Sequence, residues 1–279
     1  MRRVAIAQNT LEILDVGSYI YPNGNQVDIA RELQYCFDST KCYSPDNLAK
    51  IESRVLNSIP RFSETGFEVR NETTLMGAER IAKTEQFQQI GVLNFASAKN
   101  PGGGFLKGSQ AQEESLARSS ALYKSQLKCR QYYEFHRHES SLLYSDWMIY
   151  SPNCPVFKTD DGELLEKPYL VDFITSPAPN AGMIQKNQPQ LSEKILSTLI
   201  NRTSKVLSLA VEGGCDALIL GAWGCGVFKN DPEVVAQIFA DFLLPGGQFC
   251  GRFKSVIFSV LDNSRQQDTF TEFYQRFSG

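Results

Sequence analysis

Long apolar runs are missing from this sequence, and no stretch approaches the length needed to cross a membrane. A basic excess is missing too. The 28 lysines and arginines are outweighed by 31 aspartates and glutamates, for a formal charge of −3. No footprint for strong nonspecific nucleic-acid binding follows from that balance. Seven cysteines are present, an odd number, and none stands in a CxxC pair. Neither a disulfide framework nor a zinc ribbon is indicated, and reduced thiols in a cytoplasmic protein fit best. Histidine is scarce. His136 and His138, two residues apart, suit a strand better than a helical metal pair, and no further ligands accompany them. No metal and no cofactor are expected. At the start of the chain two arginines precede only four apolar residues, too few for a signal-peptide core. No internal repeat or low-complexity tract is visible.

What is there is an alternation of strand and helix patterns. The 279 residues allow one large α/β domain or two small ones. The first 60 residues are mostly helical and polar, with a turn at Pro22–Asn25 between short strands. Leu48, Ile51, Val55 and Ile59 have helical spacing. Strands are expected at Phe67–Asn71, Val92–Ala96, Trp147–Tyr150, Leu170–Ile174, Ala217–Leu220 and Lys254–Leu261. Helices are expected over Thr73–Glu85, about Gln110–Lys128, about Gln190–Glu212, Pro232 to about Leu244, and Gln266–Phe277. Thr159–Gly162 reads as a hairpin turn. Such alternation predicts a central sheet covered on both faces.

The chain is organised around Gly91–Glu114. A buried-strand pattern runs into Pro101 and three consecutive glycines, Gly102, Gly103 and Gly104. Ser109 and Gln112 then have the spacing of a capping box, and Glu113 and Glu114 occupy the first helical turn. Glycines between a strand and a helix can aim backbone N–H groups at phosphate oxygens. Paired acids at a helix start can also be a solvated pair favoured by the helix dipole. A second glycine-rich segment, Gly221–Phe228, follows the strand at Ala217–Leu220. Two such loops at strand C-terminal ends point to one ligand crevice. Cys225 lacks a nearby histidine or lysine in sequence and is not expected to act as a nucleophile.

Pro101-Gly102-Gly103-Gly104 followed by Gln112-Glu113-Glu114 resembles the GGG–QEE signature of poly(ADP-ribose) glycohydrolases, the bacterial-type branch above all. Gly221, Gly224, Gly226 and Phe228 match that family's GxxGxGxF pattern. The resemblance implies a three-layer α/β/α macrodomain-like mixed sheet with a mainly helical N-terminal extension. Residues 1–279 would form one catalytic domain, with 1–60 packed as an extension on a core of 67–279. It implies ADP-ribose, or poly(ADP-ribose) attached to proteins, as ligand. Glu114 would be the acid/base and Glu113 would orient the ribose hydroxyls. Asn100, Gly102, Gly103, Gly104, Gln112, Gly224, Cys225, Gly226, Val227 and Phe228 would bind substrate, Phe228 against the distal ribose. Asn94 also flanks the first loop, and Phe95 and Ser176–Gly182 are candidates for the adenine. Rival readings are a non-catalytic ADP-ribose reader, a hydrolase of mono-ADP-ribosylated protein or nucleic acid, and a nucleotide-binding scaffold.

Overall fold

The computed structural model describes residues 2–278. In chain order the elements are α1 (Arg2–Val16), the hairpin β1 (Ser18–Ile20) and β2 (Gln26–Asp28), α2 (Ala30–Ser39), β3 (Lys41–Tyr43), α3 (Pro45–Leu56), β4 (Gly66–Arg70), α4 (Thr74–Ala82) and β5 (Ile90–Phe95). After the triple glycine come α5 (Gln112–Ser119), α6 (Leu122–Gln126), α7 (Arg130–His138), β6 (Met148–Lys158), β7 (Leu164–Ser176), α8 (Ala181–Asn187) and α9 (Ile195–Glu212). The chain closes with β8 (Ala217–Leu220), α10 (Pro232–Leu243), β9 (Ser255–Ser259) and α11 (Asp268–Phe277). Among the described residues no helix is long and apolar enough to cross a membrane.

Seven strands form one mixed sheet in the order β3-β6-β7-β5-β8-β9-β4. From β7 to β4 neighbouring strands run parallel, while β6 and β3 are antiparallel. Strand side chains alternate between the two faces of a sheet. Leu93, Ile174, Leu218, Val256 and Phe258 meet α3, α9, α10 and α11 on one face. Val92, Phe173, Ile219 and Ile257 meet α1, α2, α4 and α5 on the other. The result is the three-layer arrangement expected, and the N-terminal segment supplies the edge strand β3. The two glycine loops follow β5 and β8, which are neighbours in the sheet, so both open over the same C-terminal edge.

Several local expectations are corrected. The helix expected over Gln110–Lys128 is two helices, because Ser120 is extended and bridges to Val156 on β6. Ser109 caps nothing: α5 starts at Gln112 behind Ala111, with no side-chain cap. The loosened region after Gln131 contains α7, which carries both histidines on a helix and not a strand. Buried His136 bonds through Nδ1 to the Tyr132 carbonyl one turn back, at 2.8 Å. The first turns of the helix expected from Gln190 are a 3-10 segment, Pro189–Lys194. The expected cap at Asp231 is present, accepting from Glu233 N–H at 2.9 Å ahead of Pro232.

Helix α1 bears on the site from behind. Its Ala7 is fully buried against Phe105, just after the triple glycine, and Ala117 of α5. The Thr10 hydroxyl donates to the Arg118 carbonyl of α5. Lys158, at the end of β6, is 1% exposed and donates to Thr10 Oγ1 at 2.8 Å and to the Ile6 carbonyl at 3.3 Å. It has no carboxylate partner among the described residues. Burial therefore pulls its ammonium down to about 8. Below that pH folded and unfolded chains both hold the proton. Between about 8 and the unfolded value of 10.5 only the unfolded chain does, so stability rises with pH there. Thermal melts should show wild type gaining on Lys158→Met as pH rises above 8. A difference independent of pH from 7 to 10 would contradict this placement of the charge.

Candidate active site

A cavity of about 780 Å³ opens across the C-terminal ends of the parallel strands. Its size lies within the range of small-molecule sites. Tyr144 and Ala178 line it beside β6 and β7, and Glu72 and Asp262 line it beyond β4 and β9. Between these ends it is walled by Ser97–Asn100, by Gln112–Glu114 and by Gly224–Phe228.

Glu113 is 3% exposed. Its Oε1 accepts from Asn94 Nδ2 at 3.1 Å and Gln126 Nε2 at 2.9 Å, and its Oε2 accepts from the Ser97 N–H at 2.6 Å. A carboxylate offers about four lone-pair sites, so one remains, on Oε2. Burial outweighs the three donors, and with the nearby Glu114 charge it raises the Glu113 carboxyl from 4.5 to about 7. Glu114 is half-buried, lines the cavity and accepts from the Gly104 N–H at 2.9 Å. Gln112 acts as a bracket. It accepts from Phe95 N–H at 2.8 Å and donates to the Leu93 carbonyl at 2.8 Å, fixing the start of α5 to β5.

The triple glycine is not the expected phosphate cradle. Gly102 donates to Gln126 Oε1 at 2.7 Å, Gly103 to the Asn100 carbonyl at 3.0 Å and Gly104 to Glu114. All three N–H groups thus already have protein acceptors, and none of the three residues lines the cavity. Their purpose is close approach. A Cβ on Gly103, whose φ is +59°, would stand 2.4 Å from Glu114 Oε1 and 3.3 Å from Glu113 Oε2. The loop is moulded to the two carboxylates.

The second loop has the properties expected of the first. Among the described residues the N–H groups of Gly224, Gly226, Val227 and Phe228 have no protein acceptor, and all four residues line the cavity. Unpaired amides on one concave wall make an anion site. Gly224 has φ +75°, and a Cβ there would meet Asn230 Nδ2 at 2.4 Å. That amide ties the loop to the Pro179 carbonyl at 2.8 Å. Burial pushes the Cys225 thiol up to about 12, which removes it as a nucleophile. Half-buried Phe228 packs on Tyr144, with ring centroids 6.0 Å apart.

The cavity therefore brings together Asn100, Gln112, Glu113, Glu114, Gly224, Cys225, Gly226, Val227 and Phe228. Phe95 lines it, and of Ser176–Gly182 only Ala178 does. Asn94 does not; it supports Glu113. Sequence reasoning missed Ser97, Gln126, Tyr144 and the acidic far end at Glu72, where the carboxylate is paired with Arg80 at 2.7 Å. Gln126 carried no local signal, since only the break at Ser120 folds it back under the glycine loop.

The family model of the microbial-type PARG (poly(ADP-ribose) glycohydrolase) catalytic domain matches residues 7–159. A poly(ADP-ribose) glycohydrolase structure from Thermomonospora curvata is 46% identical, with 99% of each chain covered and a TM-score of 0.93. The chain belongs to the microbial-type poly(ADP-ribose) glycohydrolase family. The same T. curvata protein bound to the inhibitor ADP-HPD matches with a TM-score of 0.91 at 46% identity, over 99% of both chains. The Deinococcus radiodurans glycohydrolase in complex with ADP-ribose matches at 40% identity and a TM-score of 0.82, over 88% of this chain and 96% of that one. No match was found among curated protein sequences.

For this glycohydrolase family member, Gly103→Ala tests whether the loop sets the carboxylates. The added methyl must displace Glu114, and a misplacement of about 1 Å costs about 10²-fold in rate. Left-handed backbone at alanine adds about 1–2 kcal/mol of destabilisation. A folded Gly103→Ala protein with undiminished glycohydrolase turnover would show that the loop does not position Glu114.

Proposed function

We propose that this chain, acting as a single catalytic unit, hydrolyses the ribose–ribose O-glycosidic bond of poly(ADP-ribose) and releases ADP-ribose. The observation that carries the reading is the pairing, across one cavity, of a cavity-facing carboxylate with a wall of unpaired amides. The amides of Gly224–Phe228 receive the diphosphate, and Phe228 stands against the distal ribose. The remaining lone pair on Glu113 Oε2 accepts a ribose hydroxyl and orients the sugar. Glu114 gives its proton to the leaving oxygen as the C–O bond breaks and positive charge develops on the sugar. The bound diphosphate stabilises that charge. Glu114 then takes a proton from the attacking water, whose oxygen bonds to the anomeric carbon, and the acid is restored.

Asn100, at the mouth of the cavity, is a further substrate contact in this reading. The polymer is met attached to proteins, and the enzyme works in the reducing cytoplasm; seven free thiols support that compartment. Incubation of the purified protein with poly(ADP-ribose) tests the function. Free ADP-ribose should accumulate until the polymer is consumed. Binding of ADP-ribose without any release would make the protein a reader, and release only from mono-modified substrates would make it a hydrolase of a different linkage.

A further inference from the structure

A second cavity, of about 420 Å³, lies beside the first. Its walls are polar: Ser141 and Ser145 from the segment before β6, and Ser197, Thr198, Asn201 and Arg202 from α9. Two features join it to the first cavity. Tyr144 lines both, so the two cavities meet at this residue. Lys99 lines the first, and its Nζ reaches the carbonyl of Glu139, which lines the second, at 3.5 Å. Tyr144 has a φ of +57°, a conformation that a bulky residue keeps only when its surroundings hold it there.

Those surroundings are built to do so. Arg202 is 1% exposed and donates to the Leu143 carbonyl at 3.0 Å, the Pro177 carbonyl at 2.9 Å and Asp146 Oδ1 at 2.9 Å. The Leu142 N–H donates to Gln188 Oε1 at 2.9 Å, and the Ser145 N–H to His136 Nε2 at 3.3 Å. The His136 ring packs against Tyr144 with centroids 6.1 Å apart. Asp146 is neutralised by Arg202 and by Lys205 Nζ at 2.5 Å, while the Glu139 carboxylate, which accepts the Ser141 N–H at 2.8 Å, stays available to accept from ribose hydroxyls.

We infer that this second cavity is the subsite for the leaving side of the polymer, taking the adenosine of the unit from which the terminal ADP-ribose is cut. The inference rests on the glycohydrolase reading and extends it. In poly(ADP-ribose) the leaving oxygen belongs to a ribose that also carries adenine and a diphosphate. Cleavage at Glu114 places that sugar just beyond the distal-ribose end of the first cavity, where Phe228 and Tyr144 meet. The Tyr144 ring offers a stacking face to the base, and bases stack on aromatic side chains without regard to sequence. The Ser141, Ser197 and Thr198 hydroxyls and the Asn201 side-chain oxygen can bond the ribose and the base edge, while Ser145 is held by His136 and Trp147 and the Asn201 amide by Asp146. Lys99, at the junction, faces the diphosphate of the leaving unit. The size is that of a small-molecule site. Free ADP-ribose would fill the first cavity and leave the second untouched, so the second selects polymer over product.

Ser197→Glu places a carboxylate at an exposed position on the cavity wall, and Thr198→Tyr fills the space. Both are made in the full chain and assayed on poly(ADP-ribose), with ADP-ribose affinity measured by calorimetry. We expect KM for the polymer to rise about tenfold, a loss of binding on one side of the bond, with ADP-ribose affinity and melting temperature as in the wild type. Both variants retaining the wild-type polymer KM would overturn the subsite while leaving the glycohydrolase reading intact. A parallel loss of ADP-ribose affinity would overturn it too, because the cavity would then be part of the first site. A wild-type protein inert towards polymer would overturn the glycohydrolase reading and the subsite together.

Discussion

A carboxylate taken out of water has to be met by donors, and the active end of this molecule is arranged around meeting that demand at Glu113. The donors come from three places: Asn94 in β5, Ser97 just beyond it, and Gln126 at the end of α6. Leaving a buried polar group without one of its hydrogen-bond partners costs about 1–3 kcal/mol, a large share of a domain's stability. Gln126 also accepts the Gly102 N–H, so one side-chain amide holds both the buried carboxylate and the glycine loop. That loop closes on Glu114 through Gly104. The two acids are therefore not set independently. A disturbance at Gln126 reaches both.

The break between α5 and α6 belongs to the same constraint. A continuous helix from Gln112 would carry residue 126 roughly 20 Å along its axis, at 1.5 Å per residue, away from Glu113. The extended Ser120, bridged to Val156, turns the chain back. Arg118, Thr10 and Lys158 then lock the end of α5 to α1 and β6. Behind the two loops stands this packed support. In front of them the loops divide the work, one shaping the carboxylates and the other keeping its amides free for an anion.

Much of this was legible in the sequence, for identifiable reasons. Strands such as Ile90–Phe95 and Ala217–Leu220 are buried on both faces, so they read as short apolar runs whichever partners they find. The glycines and acids at the two loops stand out because no ordinary helix or strand would choose them. What the sequence hid is where backbone N–H groups point. Gly102–Gly104 and Gly224–Phe228 look alike as strings, and only the fold spends the first set internally and leaves the second open. The capping-box spacing at Ser109 misled because Gln112 turns its amide to β5 instead of to the helix start. His136 and His138 misled because a spacing of two is only a weak indicator of strand. Tyr144 and the cavity beyond it depend on the bonds of Leu142, Leu143 and Ser145 to Gln188, Arg202 and His136, which no local pattern announces.

Turnover rests on proton transfer by Glu114, and Glu114→Gln tests that role most directly. The substitution keeps the shape and the capacity to accept from Gly104, and a first-turn helix position tolerates glutamine well. Poly(ADP-ribose) turnover should fall by about two to four orders of magnitude, the usual contribution of general acid/base catalysis. ADP-ribose affinity should be unchanged, since glutamine keeps the size of the side chain and the hydrogen bond from Gly104. A folded Glu114→Gln protein that hydrolyses the polymer at the wild-type rate would show that Glu114 is not the acid/base.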